Sequence, residues 1–462
     1  MTEANQYKTR RARFTNGSFE SHRYLGIVLI MPKWYNKRKV IKMAQQTSFK
    51  QREFYGLFVL VVKCFRLIGL CPVKISYIKG RPKIELNRLL AAIVIFVLIS
   101  IWAALIGSFF VNYNTPLIPG IANHIQFITG VLAVSITLVV PIFKCTELNQ
   151  ILEDFIAIDE QLNYFNMNFY NAKLKSSFWR FFTAHILFLT ISGVYDAFVM
   201  LILEHDTPYW LWFYRLIPFM LYSFAFMMAF TMIKWVKIRI QLLNRLIEQY
   251  YVNPALNNMT ISSVVVMNVE DKKGNVVENT EELHLSNCIL LIVSRTIDLA
   301  TRLESYNGPL FLFGYLALFC VSTIQVYYCY LYVTLAKHDG IFSINSFAIS
   351  LVIILGNLMA ILGLPYICEA VTNESKTLMS YLSKLSIKHG QNVNSSVWFP
   401  SLISSIKFSA MGFFDISFNM LCGFSAGLIT YLIIFIQFSS IVPMTENIRT
   451  IGRTGDPTRN RM

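Results

Sequence analysis

The stretch Leu89–Val111, which reads LLAAIVIFVLISIWAALIGSFFV, contains no charged side chain. About 20 apolar residues in a helix are long enough to cross the hydrocarbon core of a bilayer. The stretch therefore predicts a membrane-spanning helix, and six further apolar stretches predict the same. These are His124–Phe143, Phe178–Leu203, Tyr209–Ile233, Pro309–Ala336, Ile344–Val371 and Phe408–Val442. We predict an all-α, polytopic membrane protein with seven transmembrane helices.

The composition of the whole chain favours the same class. Of its 462 residues, 55% are hydrophobic and only 15% are charged, whereas a soluble domain usually carries about 25% charged residues. The formal net charge of +15 would suggest nucleic acid as the partner of a soluble protein. Here the positive charges collect in the amino-terminal tail and in alternate loops. We therefore expect membrane lipids, and no nucleic acid, as partners.

The distribution of Lys and Arg predicts the orientation in the membrane. The tail 1–88 and the segments 144–177, 234–307 and 372–407 together hold 34 of the 41 Lys and Arg residues. The short loops on the opposite side hold only Lys337. Positively charged loops stay in the cytoplasm, so the amino terminus is predicted inside. An odd number of spans then places the carboxyl terminus outside, the reverse of a G-protein-coupled receptor.

Polar side chains interrupt the last apolar stretch at residues 430–438, which read TYLIIFIQF. The Gln437 amide is unfavourable in hydrocarbon unless it finds a partner or water. Several copies around a shared axis could form a polar ring beside a ring of Phe438, and such rings pass ions or gate a pore by dewetting. A glutamine that only packs helices together is the alternative.

The pattern Thr-Tyr, five apolar residues, Gln-Phe resembles the signature of the insect gustatory receptors. The preceding stretch Ser409–Met420 (SAMGFFDISFNM), followed by Gly427, resembles the context of the last helix in that family. The resemblance implies the insect chemoreceptor channel fold: a homotetrameric, ligand-gated cation channel in the plasma membrane of sensory neurons, permeable to Na⁺, K⁺ and Ca²⁺. The pore and gate residues that it implies are Gln437, Phe438, Ile434, Thr430 and Tyr431.

With this resemblance the chain divides into four regions. Residues 1–88 form a cytoplasmic tail whose apolar stretch Phe54–Cys71 is interrupted by Lys63 and Arg66, which favours an interfacial or re-entrant helix over a full span. The remaining regions are a six-helix ligand-binding bundle at 89–371 with cytoplasmic extensions at 234–307, a cytoplasmic anchor segment and pore-lining helix at 372–443, and an extracellular tail at 444–462.

The outer ends of the third to fifth spans suggest where a ligand binds. Ionisable and amide groups inside a membrane usually face a cavity or the protein interior, and aromatic walls with a few polar anchors suit a sugar. The candidate ligand-binding residues are Asp196, Trp210, Trp212, Gln325 and Tyr328. An interfacial aromatic belt would explain the same aromatic residues, and an ion pair with Arg215 would explain Asp196.

The resulting hypothesis is a gustatory receptor: a non-selective cation channel opened by a small tastant. A sugar such as fructose is the first candidate, because the length and the cytoplasmic insert resemble the fructose-receptor branch. The alternatives are a bitter-compound receptor and, from another class, a secondary transporter of small solutes. The motifs HExxH and GxGD are missing from the sequence, so we predict no enzymatic activity, no cofactor and no metal site.

Overall fold

The computed structural model describes residues 57–78, 81–110, 117–165, 171–198, 209–249, 277–339, 344–388 and 406–454. In chain order its elements are α1 (57–67), β1 (Val73–Ile78), β2 (Arg81–Leu86), α2 (Arg88–Phe110), α3 (Leu117–Phe143), α4 (Cys145–Tyr164), α5 (Asn171–Phe198), α6 (Tyr209–Ile247), α7 (Val277–Asp339), α8 (Ile344–Lys388) and α9 (Phe418–Thr454).

Seven of these helices contain a segment that is long and apolar enough to cross a membrane. The segments are Arg88–Phe110, Gly120–Phe143, Leu174–Phe198, Leu216–Ile247, Cys288–Thr334, Ile344–Lys384 and Phe418–Phe438. The prediction of a mostly helical protein with seven spans is therefore confirmed. Helix α7 has 63 residues, which corresponds to about 95 Å of helix, roughly three times the thickness of the hydrocarbon core.

Helix α7 is the central element of the bundle, because it packs against α3, α4, α6, α8 and α9. In its most apolar window 67% of the residues are buried. Helix α9 is the opposite case: it packs chiefly on α7, and none of the residues in its own apolar window is buried within the described chain. The apolar span Phe418–Phe438 is thus left on the surface of the single chain.

The last helix begins ten residues later than the apolar pattern suggested. The predicted span started at Phe408, whereas α9 starts at Phe418, so this boundary was wrong. Between them the chain makes a tight hairpin closed by a bridge between Ser409 and Asp415. The turn places Met411 at φ 55° and Gly412 at φ 81°, in the left-handed region where a helix cannot continue.

Contacts with two other helices hold this hairpin, hereafter the 406–417 hairpin, in place. The backbone amide and the hydroxyl of Ser409 both donate to the Glu304 carboxylate on α7. On α8, Glu369 accepts a bond of 3.3 Å from the backbone amide of Phe418, which places a negative charge at the α9 amino terminus, where it is stabilising. The start of α9 is therefore decided by tertiary contacts.

A β-hairpin that the sequence analysis did not predict precedes the first span. Its two six-residue strands are antiparallel, and Val73 pairs with Leu86 at the open end. Val73 and Ile84 are buried, and the backbone amide of Ile84 donates to the Asn149 side chain of α4 at 2.8 Å. The hairpin thereby ties the segment before α2 to α4.

Helix α1 lies on the predicted interfacial segment and is amphipathic. Phe58 and Phe65 are buried and lie on one face, where Phe58 contacts the Trp235 ring at 5.7 Å. Lys63, on the opposite face, is exposed. This arrangement buries the apolar face against the bundle, while a location at the membrane interface stays a prediction.

A buried ion pair joins α4 to α6 in the same part of the molecule. The Arg239 guanidinium is fully buried and lies 2.7 Å from the Asp159 carboxylate. It also donates to the Trp235 carbonyl at 2.9 Å and stacks over the Phe155 ring at 4.4 Å. A charge withdrawn from water needs such compensation, so the position of α4 on α6 depends on this pair.

Candidate functional site

A cavity of about 200 Å³ lies between the ends of five helices, α2, α3, α5, α6 and α8, with one side chain from α7. Its polar lining consists of Ser108, Asn123, His124, Gln126, Ser192, Tyr195, Asp196 and Tyr222. Its apolar lining includes Phe127, Leu216, Pro218, Phe219, Val321, Ile349, Val352 and Ile353. The polar groups are outnumbered by carbon surface, which is the usual character of a site for a small organic ligand.

The cavity lies toward one end of the bundle. Ser108 is near the end of α2, and Ile349 is near the beginning of α8. With the orientation predicted from Lys and Arg, this end faces the outside. At this depth a close approach of α5 to α8 is possible because residue 356 is glycine: a Cβ there would stand 2.9 Å from the Phe188 ring.

Among the ligand-binding residues predicted from sequence, only Asp196 is part of the described cavity lining. Gln325 stands one layer behind it and donates to Gln126 Oε1 at 3.2 Å. Tyr328, also on α7, stands behind the lining as well, and its hydroxyl donates to Asn123 Oδ1 at 2.7 Å. Both residues therefore orient amides that line the cavity. The side chains of Trp210 and Trp212, as well as that of Arg215, lie outside the described residues.

Tyr222 is a lining residue that the sequence analysis missed. Its ring meets Phe219 edge-on at 5.6 Å and Phe226 at 6.5 Å, and only 2% of the residue is exposed. Within the described part of the chain its buried hydroxyl has no hydrogen-bond partner. An unpaired buried hydroxyl costs about 1–3 kcal/mol, so a ligand oxygen that reached it would remove a penalty already present.

His124 is a second lining residue found only from the structure. Its Nδ1 lies 2.8 Å from the Gly120 carbonyl oxygen, and its ring lies 4.7 Å from that of Phe109. Because a carbonyl can only accept, Nδ1 carries a proton, and in the neutral ring Nε2 is then an acceptor. Neither His124 nor Tyr222 belongs to a motif, so no signal in the sequence separates them from packing residues.

The predicted pore and gate residues all lie on α9. Thr430, Tyr431, Ile434, Gln437 and Phe438 are exposed in the single chain. At 100° per residue, Thr430 and Gln437 lie about 20° apart on one side of the helix, roughly 100–160° from Tyr431 and Phe435. The latter two contact α7, Tyr431 edge-on to Phe319 at 5.7 Å and Phe435 against Tyr327 at 5.3 Å.

The packing of α9 on α7 depends on a small residue. A Cβ at position 427 would lie 3.1 Å from the Phe319 ring, which also meets Phe424 edge-on at 5.3 Å. Gly427 therefore allows Phe319 to rest on the helix backbone. Gly423, one turn earlier, has open space around it, so only position 427 of these two requires a residue without a side chain.

Seven apolar spans, a ligand-sized cavity between them and an uncovered polar stripe define a multi-pass membrane protein of the small-molecule receptor class. A family model described as "7tm Chemosensory receptor" matches residues 60–441, and the chain belongs to this family. The recognition made from residues 430–438 is thereby confirmed at the level of the chemosensory receptors, which are receptors and not enzymes. Among curated proteins nothing matches.

Solved structures with the same fold include those of an insect olfactory receptor from Machilis hrabei. The olfactory receptor OR5 in complex with eugenol is 11% identical, with a TM-score of 0.55, over 85% of this chain and 99% of that chain. A second structure of the same olfactory receptor is 10% identical, with a TM-score of 0.53, over 84% of this chain and 99% of that one. At this identity the likeness concerns the fold alone.

Proposed function

We propose that this chain is a gustatory receptor that works as a ligand-gated, non-selective cation channel. The observation that carries the proposal is the polar stripe of Thr430 and Gln437 on the uncovered side of α9. Polar side chains in a membrane seldom face lipid. A polar stripe that faces away from the rest of its own chain can line a water-filled axis formed with further copies of α9.

The assembly in this proposal is a homotetramer that conducts Na⁺, K⁺ and Ca²⁺. The cytoplasmic extensions at 234–307 and the segment 372–443 hold the subunits together, and each α9 contributes Gln437, Phe438 and Ile434 to the gate. The amino terminus lies inside and the carboxyl terminus outside, in the plasma membrane of sensory neurons. The proposal rests on the resemblance at residues 430–438 and on the charge distribution.

The cavity is the ligand site in this proposal. Asn123, Gln126 and Asp196 offer donors and acceptors on its wall, and the Tyr222 hydroxyl lacks a described partner. A small ligand rich in hydroxyl groups suits this lining best, so a sugar such as fructose is our first candidate. A bitter compound or an odorant is the alternative, because the apolar wall around Phe219 would hold either.

Helix α7 offers a direct route from the cavity to the gate. On one side Gln325 and Tyr328 bond to the cavity residues Gln126 and Asn123. On the other side Tyr327 contacts Phe435 of α9. These contacts are less than one helical turn apart along α7, so a ligand that displaces the amides also shifts the surface on which α9 rests.

The test is patch-clamp recording from cells that express only this chain. We expect sugars or other small tastants to evoke cation currents, and Gln437→Ala to change the conductance or gating. The matched control is Ser425→Ala, an exposed residue of the same helix that lies about 120° around its axis from Gln437. Saturable solute flux without channel currents would favour the secondary transporter instead. Ligand-evoked currents that are unchanged by both Gln437→Ala and Phe438→Ala would refute the proposed gate.

A further inference from the structure

Three basic side chains lie in a row where α5 meets α6, at the end of the bundle predicted to face the cytoplasm. The Lys234 ammonium donates to Ser177 Oγ on α5 at 2.9 Å and is acted on by the positive charges of Lys237 and Arg180. Ser177 and Arg180 are three residues apart on α5, as are Lys234 and Lys237 on α6. Each pair therefore lies on one helix face, and the two faces meet. We call Arg180, Lys234 and Lys237 the basic triad.

The basic triad has no counter-charge in the part of the chain that the structure describes. Other basic residues of the same region are paired: Lys144 with Glu147 at 3.2 Å, and Arg302 with Asp154 at 3.5 Å. The ion pairs between described residues include no member of the triad. Neighbouring like charges repel one another, and more strongly where protein replaces water. An anion between them would convert this repulsion into attraction.

The surroundings of the triad indicate which kind of anion fits. One turn toward the bundle centre, the Phe181 ring stacks on Phe230 at 5.2 Å, and 40% of Phe181 is exposed. The neighbouring Trp179 is 38% exposed. Aromatic side chains of this kind are typical of the membrane interface. Only 17% of the apolar window of α5 is buried, so this helix presents an apolar surface directly beside the cations.

We propose that the basic triad binds the headgroup of an anionic phospholipid of the cytoplasmic leaflet, with the acyl chains lying along α5 beside Phe181. Three cations match a headgroup with several negative charges, so the expected class is a phosphoinositide and not a lipid with a single net charge. Basic pockets between transmembrane helices on the cytoplasmic side are suited to such headgroups.

Binding at this place would reach the ligand cavity through both helices. Helix α5 carries Asp196 at its other end, and α6 carries Tyr222. A lipid that neutralises the triad removes the repulsion between the cytoplasmic ends of α5 and α6 and fixes their relative position. The occupied site would therefore stabilise the helix pair that forms two walls of the cavity.

The experiment is a titration of the purified full-length protein with dioctanoyl phosphatidylinositol 4,5-bisphosphate, with bound lipid counted by native mass spectrometry. For the variant R180Q/K234Q/K237Q we expect an apparent affinity about a hundredfold lower. The charge-matched control K74Q/K376Q/K384Q removes three exposed lysines elsewhere and should change the affinity less than about twofold. Thermal unfolding of each variant checks its folding, and R180Q alone serves if the triple variant does not fold.

Three further arms separate the possible sources of the anion. Phosphatidylserine should bind more weakly than the phosphoinositide, and free inositol 1,4,5-trisphosphate more weakly still, because it lacks the apolar contact with α5. Equal affinity for the free headgroup would overturn the proposal of a lipid site in favour of a soluble anion site. Equal binding by wild type and triad variants, or an equal loss in the control, would overturn the role of the triad.

Discussion

Replacing Tyr222 by Phe removes one buried hydroxyl and leaves the ring between Phe219 and Phe226 unchanged. In the ligand-free protein this hydroxyl has no partner among the described residues. Its removal should therefore stabilise the protein by about 1 kcal/mol, the lower end of the penalty for an unpaired buried group. For a chain of 462 residues this corresponds to a rise in Tm on the order of 1 °C.

The same substitution should weaken a ligand that uses the hydroxyl. The net contribution of one hydrogen bond is about 1 kcal/mol, so the EC50 should rise roughly fivefold. The assay pairs thermal unfolding of the purified, ligand-free protein with patch-clamp dose–response curves for the most active tastant. Stability and sensitivity should move in opposite directions, which is not the expectation for a residue that only packs the core.

Tyr195→Phe is the matched control, because Tyr195 also lines the cavity but its hydroxyl donates to Asn345 Oδ1 at 3.4 Å. Removing a paired hydroxyl should lower the Tm of the ligand-free protein or leave it unchanged, and should not raise it. If Tyr222→Phe lowers the Tm and leaves the EC50 unaltered, the assignment of Tyr222 to the ligand site is wrong.

Three further predictions test other parts of the structure. Asp159→Leu leaves the Arg239 charge buried without its carboxylate and should destabilise the protein by about 3–5 kcal/mol. As a control, Asp415→Asn breaks the exposed pair with Lys407 and should change the free energy of unfolding by less than about 1 kcal/mol. Equal losses of Tm in the two variants would contradict the importance of the buried pair. Gly427→Ala should displace Phe319 and reduce evoked currents, while Gly423→Ala, which adds a methyl group in open space, should leave them unchanged. A carboxyl-terminal epitope tag should be labelled on intact cells and an amino-terminal tag only after permeabilisation, and the reverse pattern would refute the orientation taken from Lys and Arg.

The 406–417 hairpin and the β-hairpin show where sequence reasoning failed on the fold. Hydropathy extends the last span back to Phe408, because the segment that follows is rich in apolar side chains. The helix nevertheless starts at Phe418, since Glu304 and Glu369 belong to α7 and α8 and bond to this segment only in the folded chain. Likewise, residues 73–78 and 81–86 alternate apolar and polar side chains as strands do, but the sequence analysis assigned them to the cytoplasmic tail, and Asn149, the partner of Ile84, is distant in sequence.

Some residues of the candidate site could be predicted from the sequence, and others were found only from the structure. Asp196 could be predicted because a carboxylate inside an apolar span is costly and needs a polar environment. Tyr222 could not, because several aromatic residues lie close to it in the sequence and only the rotation of α6 decides which ring reaches the cavity. Gln325 was identified by its polarity and Tyr328 as part of an aromatic wall, but their position behind Gln126 and Asn123 depends on how α7 packs against α3.

The number of spans and the family of the protein were readable from sequence because both rest on local chemistry. A run such as Leu89–Val111 must enter the membrane whatever surrounds it, and the pattern at residues 430–438 is contiguous. The cavity, the start of α9 and the arrangement of the basic triad were decided only by tertiary structure. Each depends on side chains from helices far apart in the chain, whose rotation and depth are set by packing against one another.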